Sequence, residues 1–141
     1  MKAFFDTSVL VAAVREADQR HEASRTLLRS FAPQEACCAS HSLAELYASL
    51  TGMRPPHRLR PDQAVLIVDQ FRTNLDCIPL TAEEVTQAIQ RTAALKLPGG
   101  IIYDALHLAC ARKVQAERIY TWNVKHFQMV APDLAERIVT P

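Results

Sequence analysis

Glycine, tryptophan and a surplus of either charge are what this 141-residue sequence has least of: three Gly, one Trp and a net charge of +1. Scarce glycine alongside 49% apolar residues excludes a disordered tail and leaves a globular chain able to bury a substantial core. Sixteen Lys plus Arg against fifteen Asp plus Glu exclude wholesale coating of nucleic acid, while permitting a local basic patch. No stretch reaches the roughly 18 apolar residues of a membrane span. Lys2 and the apolar residues after it have the outline of a signal peptide, but Asp6 breaks the run and leaves too short an apolar stretch before Arg15. The cysteines, Cys37, Cys38, Cys77 and Cys110, form no CxxC, and no His spacing completes a zinc site with them. They read as reduced, mostly buried thiols, with Cys37 and Cys38 facing opposite sides of a strand, and they point to a reducing compartment, the cytoplasm.

What is present alternates strand and helix. Residues 2–6 form a short apolar strand, and a helix follows from Thr7 with Leu10, Val11 and Val14 on its apolar side. A second helix is expected over 21–31, with Ala23, Leu27, Leu28 and Phe31 on one face. Residues 36–39 suit a strand, and 42–50 a helix striped by Leu43, Leu46, Tyr47 and Leu50. The segment GMRPPHRLRP, 52–61, breaks the pattern, and Pro61 suits the first position of a helix running to Asn74. Strand 76–80 leads to a helix over 81–96, opened by Thr81 and Glu84 as a capping box. The sequence PGG stops that helix, another covers 101–114, and strands follow at 118–122 and 137–140. Strands separated by helices imply parallel β/α units with both faces covered, in one domain over residues 1–141.

In such folds functional groups collect beyond the carboxyl ends of the strands. Asp6 stands there, inside FFDTSVLVAAV, where it is either the N-cap of the helix at Thr7 or a functional acid. Glu45 lies opposite the leucine stripe, as a solvated acid, the third residue of a capping box with Ser42, or a member of a site. Asp104 lies in the first turn of an apolar helix, where the helix dipole favours an acid, but it borders the buried arc beside His107. Asn123 ends the strand RIYTWN, a place where turn asparagines are common. Together they put three acids and an amide where one sheet edge can gather them.

FFDTSVL, SLAELYASL, YDALHLACA and TWNVKHF, in that order and spacing, resemble the PIN domain, and more narrowly the VapC-type toxin of a bacterial or archaeal toxin–antitoxin pair. The resemblance runs over essentially the whole chain. It implies a three-layer α/β/α fold with a central parallel sheet, and a metal-dependent endoribonuclease whose acidic cluster corresponds to Asp6, Glu45 and Asp104. Asn123 occupies a fourth position where many relatives carry Asp, which removes one formal charge and bears on whether a second metal is held. Asp6 and Asp104 are the expected metal ligands. Glu45 would bind through water or act as base, Asn123 and Thr121 would support the shell, and Ser8 could cap the helix or hold the Asp6 carboxylate. Oxygen ligands without Cys or committed His suit Mg²⁺ or Mn²⁺. The resemblance also implies a small antitoxin partner, operator DNA bound only by the toxin–antitoxin complex, and a homodimer.

Arg15, Lys125 and His126 lie near these motifs in sequence, and Arg54, His57, Arg58 and Arg60 could form an arm for RNA phosphates or a solvated loop. His107 reads as a packing or hydrogen-bonding residue of its helix, and Trp122 and Tyr47 as core aromatics. Two other classes stand beside the nuclease: a catalytically silent PIN-like scaffold for protein binding, and a receiver-like phosphoacceptor domain. The latter wants paired acids at the end of the first strand, where FFDTS has one.

Overall fold

The computed structural model describes residues 1–141 as five short parallel strands between two layers of helices. In chain order these are β1 (Ala3–Phe5), α1 (Thr7–Val14), α2 (His21–Arg29), β2 (Ala36–Ala39), α3 (Ser40–Gly52), α4 (Pro61–Asn74), β3 (Asp76–Ile78), α5 (Ala82–Ala94), α6 (Ile102–Lys113), β4 (Arg118–Tyr120), α7 (Val124–Val130) and β5 (Ile138–Val139). The sheet order is β3-β2-β1-β4-β5, so β1 is the central strand. Its three residues are fully buried and alternate between the faces. Phe4 packs with Cys37, Leu108, Ile119 and Phe127 beneath α6 and α7. Ala3 and Phe5 pack with Cys38, Val9, Leu46 and Leu50 beneath α1, α3 and α4. Burying one such Phe contributes about 2–3 kcal/mol, and Phe5→Ala would cost more through the cavity it leaves.

The local signals account for most boundaries. Pro61 opens α4, with the Arg60 N–H donating to Gln63 Oε1 at 3.1 Å. Thr81 and Glu84 form the capping box of α5, with Glu84 N donating to Thr81 Oγ1 at 3.2 Å and Thr81 N to Glu84 Oε2 at 2.7 Å. The strands are shorter than the apolar runs containing them. The first stops where Asp6 takes the helix N-cap, and the third ends at Ile78 because Pro79 has no N–H to donate.

Some expectations change. A helix absent from the sequence reading, α7, follows Asn123, and its spacing of Val124, Phe127 and Val130 turns Phe127 fully into the core. A 3-10 segment at Pro132–Arg137 then shortens the last strand to Ile138–Val139. In α2 the buried face is His21 and Ser24 while Ala23 is exposed, because His21 Nδ1 pairs with the Ala12 carbonyl at 2.9 Å and ties α2 to α1. Tyr47 is 38% exposed, since the buried stripe of α3 is Ser42, Leu46 and Leu50.

The chain steps outward from β1 to β2 and β3, then returns to the other side of β1 for β4 and β5. That reversal leaves a crevice at the carboxyl ends of β1 and β4, where α/β sheets bind their ligands. Receiver domains carry the strand order 2-1-3-4-5, which this sheet does not have.

Candidate active site

Asp6 stands at the crevice, directly after β1, and its N–H still donates to the Tyr120 carbonyl at 3.0 Å. It occupies the N-cap position of α1, yet its side chain caps nothing. Its Oδ2 instead accepts from Ser8 Oγ at 2.7 Å and Thr121 Oγ1 at 2.8 Å. Two hydroxyls from two different elements therefore fix a carboxylate that is only 4% exposed. Each hydroxyl is itself held. Trp122 N donates to Ser8 Oγ at 3.0 Å, and Asn123 N to Thr121 Oγ1 at 2.9 Å. Thr7 Oγ1, at the same strand end, is buried without a partner.

Helix α3 supplies Glu45 and α6 supplies His107, and the imidazole joins the acids. His107 Nε2 lies 3.2 Å from Glu45 Oε1 and 3.5 Å from Asp6 Oδ1, while its Nδ1 is 3.5 Å from Ser42 Oγ. Burial opposes charging of His107, but the hydrogen bond to Glu45 and the charges of Asp6, Glu45 and Asp104 prevail and raise its pKa. Burial likewise works against ionised Glu45, and the His107 contact with the nearby His41 outweighs it, so that Glu45 titrates below the usual carboxylate value. Glu45 is not a capping-box residue, because the N-cap of α3 is Ala39. His41 Nε2 lies 3.4 Å from Glu45 Oε1 without hydrogen-bond alignment, and the two imidazole rings are 4.5 Å apart. Its pKa is lowered by burial and by the neighbouring His107.

Asp104, in the first turn of α6, is half-buried. A helix N-terminus should favour its charge, yet its pKa is raised, first by burial and then by the charge of Asp6. His107 and His126 oppose that rise only in part.

The other predicted residues divide. Asn123 is exposed at the N-terminus of α7 and reaches the cluster through its backbone N–H to Thr121, not through its amide. Lys125 is exposed on α7 beside it, and Arg15 is part-buried at the end of α1. The arm of Arg54, Arg58 and Arg60 follows the far end of α3, about 10 Å of helix rise beyond Glu45. Within it, Arg60 pairs with Asp62 at 3.1 Å and Arg58 Nε donates to the Met53 carbonyl at 2.9 Å. Trp122 is part-buried and donates to Ser24 Oγ at 2.9 Å. Sequence reasoning missed His41 altogether and read His107 as a packing or hydrogen-bonding residue of its helix, without its link to Glu45 and Asp6. The available signal was spacing, since His41 precedes Glu45 by one helical turn.

Two donor sets lie here. His41, Glu45 and His107 offer ligand atoms within 4.8 Å of one another. Within that set His107 Nε2 is already engaged by two carboxylates, at 3.2 Å from Glu45 Oε1 and 3.5 Å from Asp6 Oδ1. Asp6 keeps Oδ1 free of the two hydroxyls, and its charge reaches Asp104, which has no hydrogen-bond or ion-pair partner; carboxylate oxygens of this kind suit a hard divalent ion.

The sequence profile of the PIN domain family matches residues 3–130. A search of curated protein sequences gives no significant match. Among solved structures, VapC20 of Mycobacterium tuberculosis, a sarcin–ricin-loop-cleaving toxin, superposes with a TM-score of 0.72 at 23% identity, over 89% of this chain and 92% of that one. VapBC2 of Rickettsia felis, bound to a DNA fragment from its promoter, gives a TM-score of 0.63 at 20% identity, over 92% and 93% of the two chains. VapBC-1 of nontypeable Haemophilus influenzae gives 0.68 at 16% identity, over 99% and 98%. These likenesses are of fold.

Proposed function

Since the chain belongs to the PIN domain family, we propose that it is a divalent-metal-dependent endoribonuclease, the toxin of a toxin–antitoxin pair. The observation that carries this reading is Asp6, locked by two hydroxyls, with its charge acting on Asp104, a half-buried acid whose pKa stays raised although His107 and His126 oppose the rise. Asp6 and Asp104 would hold Mg²⁺ or Mn²⁺. Such an ion supplies an activated water and stabilises charge on the transferring phosphoryl group.

The remaining steps belong to side chains. Ser8 and Thr121 keep Asp6 in one rotamer, which fixes the ligand geometry to the precision a phosphodiester attack needs. His107 stands between Asp6 and Glu45 and prevents the two carboxylates from repelling each other apart. Glu45, 38% exposed at its side chain, faces the crevice as the acceptor for a proton from the attacking water. Lys125 and His126 lie on α7, which starts beside the crevice, and would meet RNA phosphates there; Arg15, at the far end of α1, would meet them farther off. The arm of Arg54, Arg58 and Arg60 would meet them farther along the strand.

The partners follow from the same reading: RNA as substrate, a small antitoxin that blocks the crevice, and operator DNA through that complex alone. Exposed Tyr47, Val65 and Leu66, on the mutually packed α3 and α4, give a second copy an apolar surface to cover. A silent, protein-binding role is favoured by one observation: the His107 imidazole already stands between the acids, with Nε2 3.2 Å from Glu45 Oε1 and 3.5 Å from Asp6 Oδ1.

Cleavage of a mixed cellular RNA pool with Mg²⁺, Mn²⁺ or EDTA, beside Asp104→Asn purified identically, separates the two. Metal-dependent cutting lost in the variant supports the nuclease. Absence of cutting under every metal, together with retained binding of an antitoxin, supports the scaffold.

A further inference from the structure

Four free cysteines lie in this chain, and two of them face each other. Cys38 in β2 and Cys77 in β3 are direct register partners of adjacent parallel strands. Opposed residues in such strands point to the same face, and the strand spacing of about 4.8 Å lies within the Cα separation of about 4.4–6.8 Å that a disulfide spans. Their sulfurs are 4.0 Å apart. Cys77 also donates to the Leu75 carbonyl at 3.7 Å. Cys37 and Cys110 have no facing cysteine: each is fully buried and hydrogen-bonds only a backbone carbonyl, of Ala3 and Ile78, at 3.5 Å.

We propose that Cys38 and Cys77 are a redox-active pair, a modification site distinct from the acid cluster, which peroxide converts to an intramolecular disulfide. Cys77 is the attacking group, because it lies on the edge strand and is only part-buried, whereas Cys38 is fully buried. The Cys77 thiolate attacks one peroxide oxygen, the O–O bond breaks, and hydroxide leaves, giving a sulfenic acid. The Cys38 sulfur then displaces the hydroxyl from the Cys77 sulfur, and its own proton departs with that hydroxyl as water. Two electrons pass from the two sulfurs to peroxide.

The thiol contact serves this order. The hydrogen bond shared with Cys38, assisted by the charge of Arg72, draws the Cys77 pKa down although burial resists. The same hydrogen bond and burial raise that of Cys38. Burial pushes both Cys37 and Cys110 up to about 12, which leaves them inert. The crosslink would pin the outer strand β3 to β2, whose chain runs straight into Ser40 and the helix carrying His41 and Glu45.

The test uses the full chain, reduced, desalted, exposed to hydrogen peroxide, then denatured and alkylated. Two of the four thiols should become protected, peptide mapping should link Cys38 to Cys77, and thiol reductant should restore all four. Cys77→Ser should leave its three remaining thiols alkylated, and Cys37→Ser should leave the crosslink intact. The wild-type peptide map decides the matter even if a variant fails to fold. Four alkylated thiols after peroxide, over-oxidised Cys77 beside free Cys38, or a link to another cysteine or another chain would each overturn the proposal.

Discussion

Thr121 Oγ1 donates to Asp6 Oδ2 at 2.8 Å, joining residues 115 positions apart at the carboxyl ends of β4 and β1. The same hydroxyl accepts the Asn123 N–H, so one threonine ties the central acid to the start of α7. Neither end of that link is exposed enough for water to replace it.

Thr121→Val should therefore cost about 2 kcal/mol, the usual value for a hydrogen bond to a charged group. RNA cleavage should fall with it, because Asp6 is released from its rotamer. Thr121→Ser keeps the hydroxyl and should restore most of both. Urea unfolding and cleavage rate, measured on the two variants together, decide this. A loss in Thr121→Ser with none in Thr121→Val would show that the methyl group's packing, not the bond, matters.

Asp104→Asn should abolish cleavage without loss of stability, because it removes a half-buried charge that the folded protein disfavours. Added Mg²⁺ should raise the melting temperature of the wild type and not that of the variant. Equal shifts in both proteins would remove Asp104 from the ligand set.

His107→Ala should be costly in a different way. Its ring lies 6.2 Å from that of Phe4 and 6.3 Å from that of Phe127, and its Nε2 serves two acids. Cavity and unpaired charge together should cost roughly 2–4 kcal/mol by chemical denaturation. A loss near zero would mean that the imidazole contributes nothing net to the cluster.

Asp133 gives a pH test away from the site. Arg112 Nη1 and Nη2 donate to its two oxygens at 2.7 Å each, and this hydrogen bonding depresses its pKa. A depressed folded pKa means stability present above the unfolded value of about 4 and lost as pH falls through the folded one. Since the Asp133 side chain is 59% exposed, the effect is discounted for solvent screening. Asp133→Asn should be less stable than wild type by about 0.5 kcal/mol at pH 7. The two proteins should converge as the solution is acidified. A difference that grew in acid would reverse the sign argued here.

The sequence by itself determined what depends on local order. Apolar runs of strand length alternate with 3.6-residue periodicity, and this fixes the α/β class. The capping box of Thr81 and Glu84 and the proline at 61 set helix starts where the structure has them. Asp6 stands out because an acid interrupts an apolar run, and Asp104 because it borders a buried arc. Only tertiary structure decided the order β3-β2-β1-β4-β5, since strand pairing is long-range and these strands are too short to encode a register. It brought Thr121 to Asp6 and turned His107 between Asp6 and Glu45, partners that a histidine read as packing or hydrogen-bonding within its helix does not disclose from sequence. It also set Cys38 opposite Cys77, because a register slip of one residue would place the two sulfurs on opposite faces of the sheet.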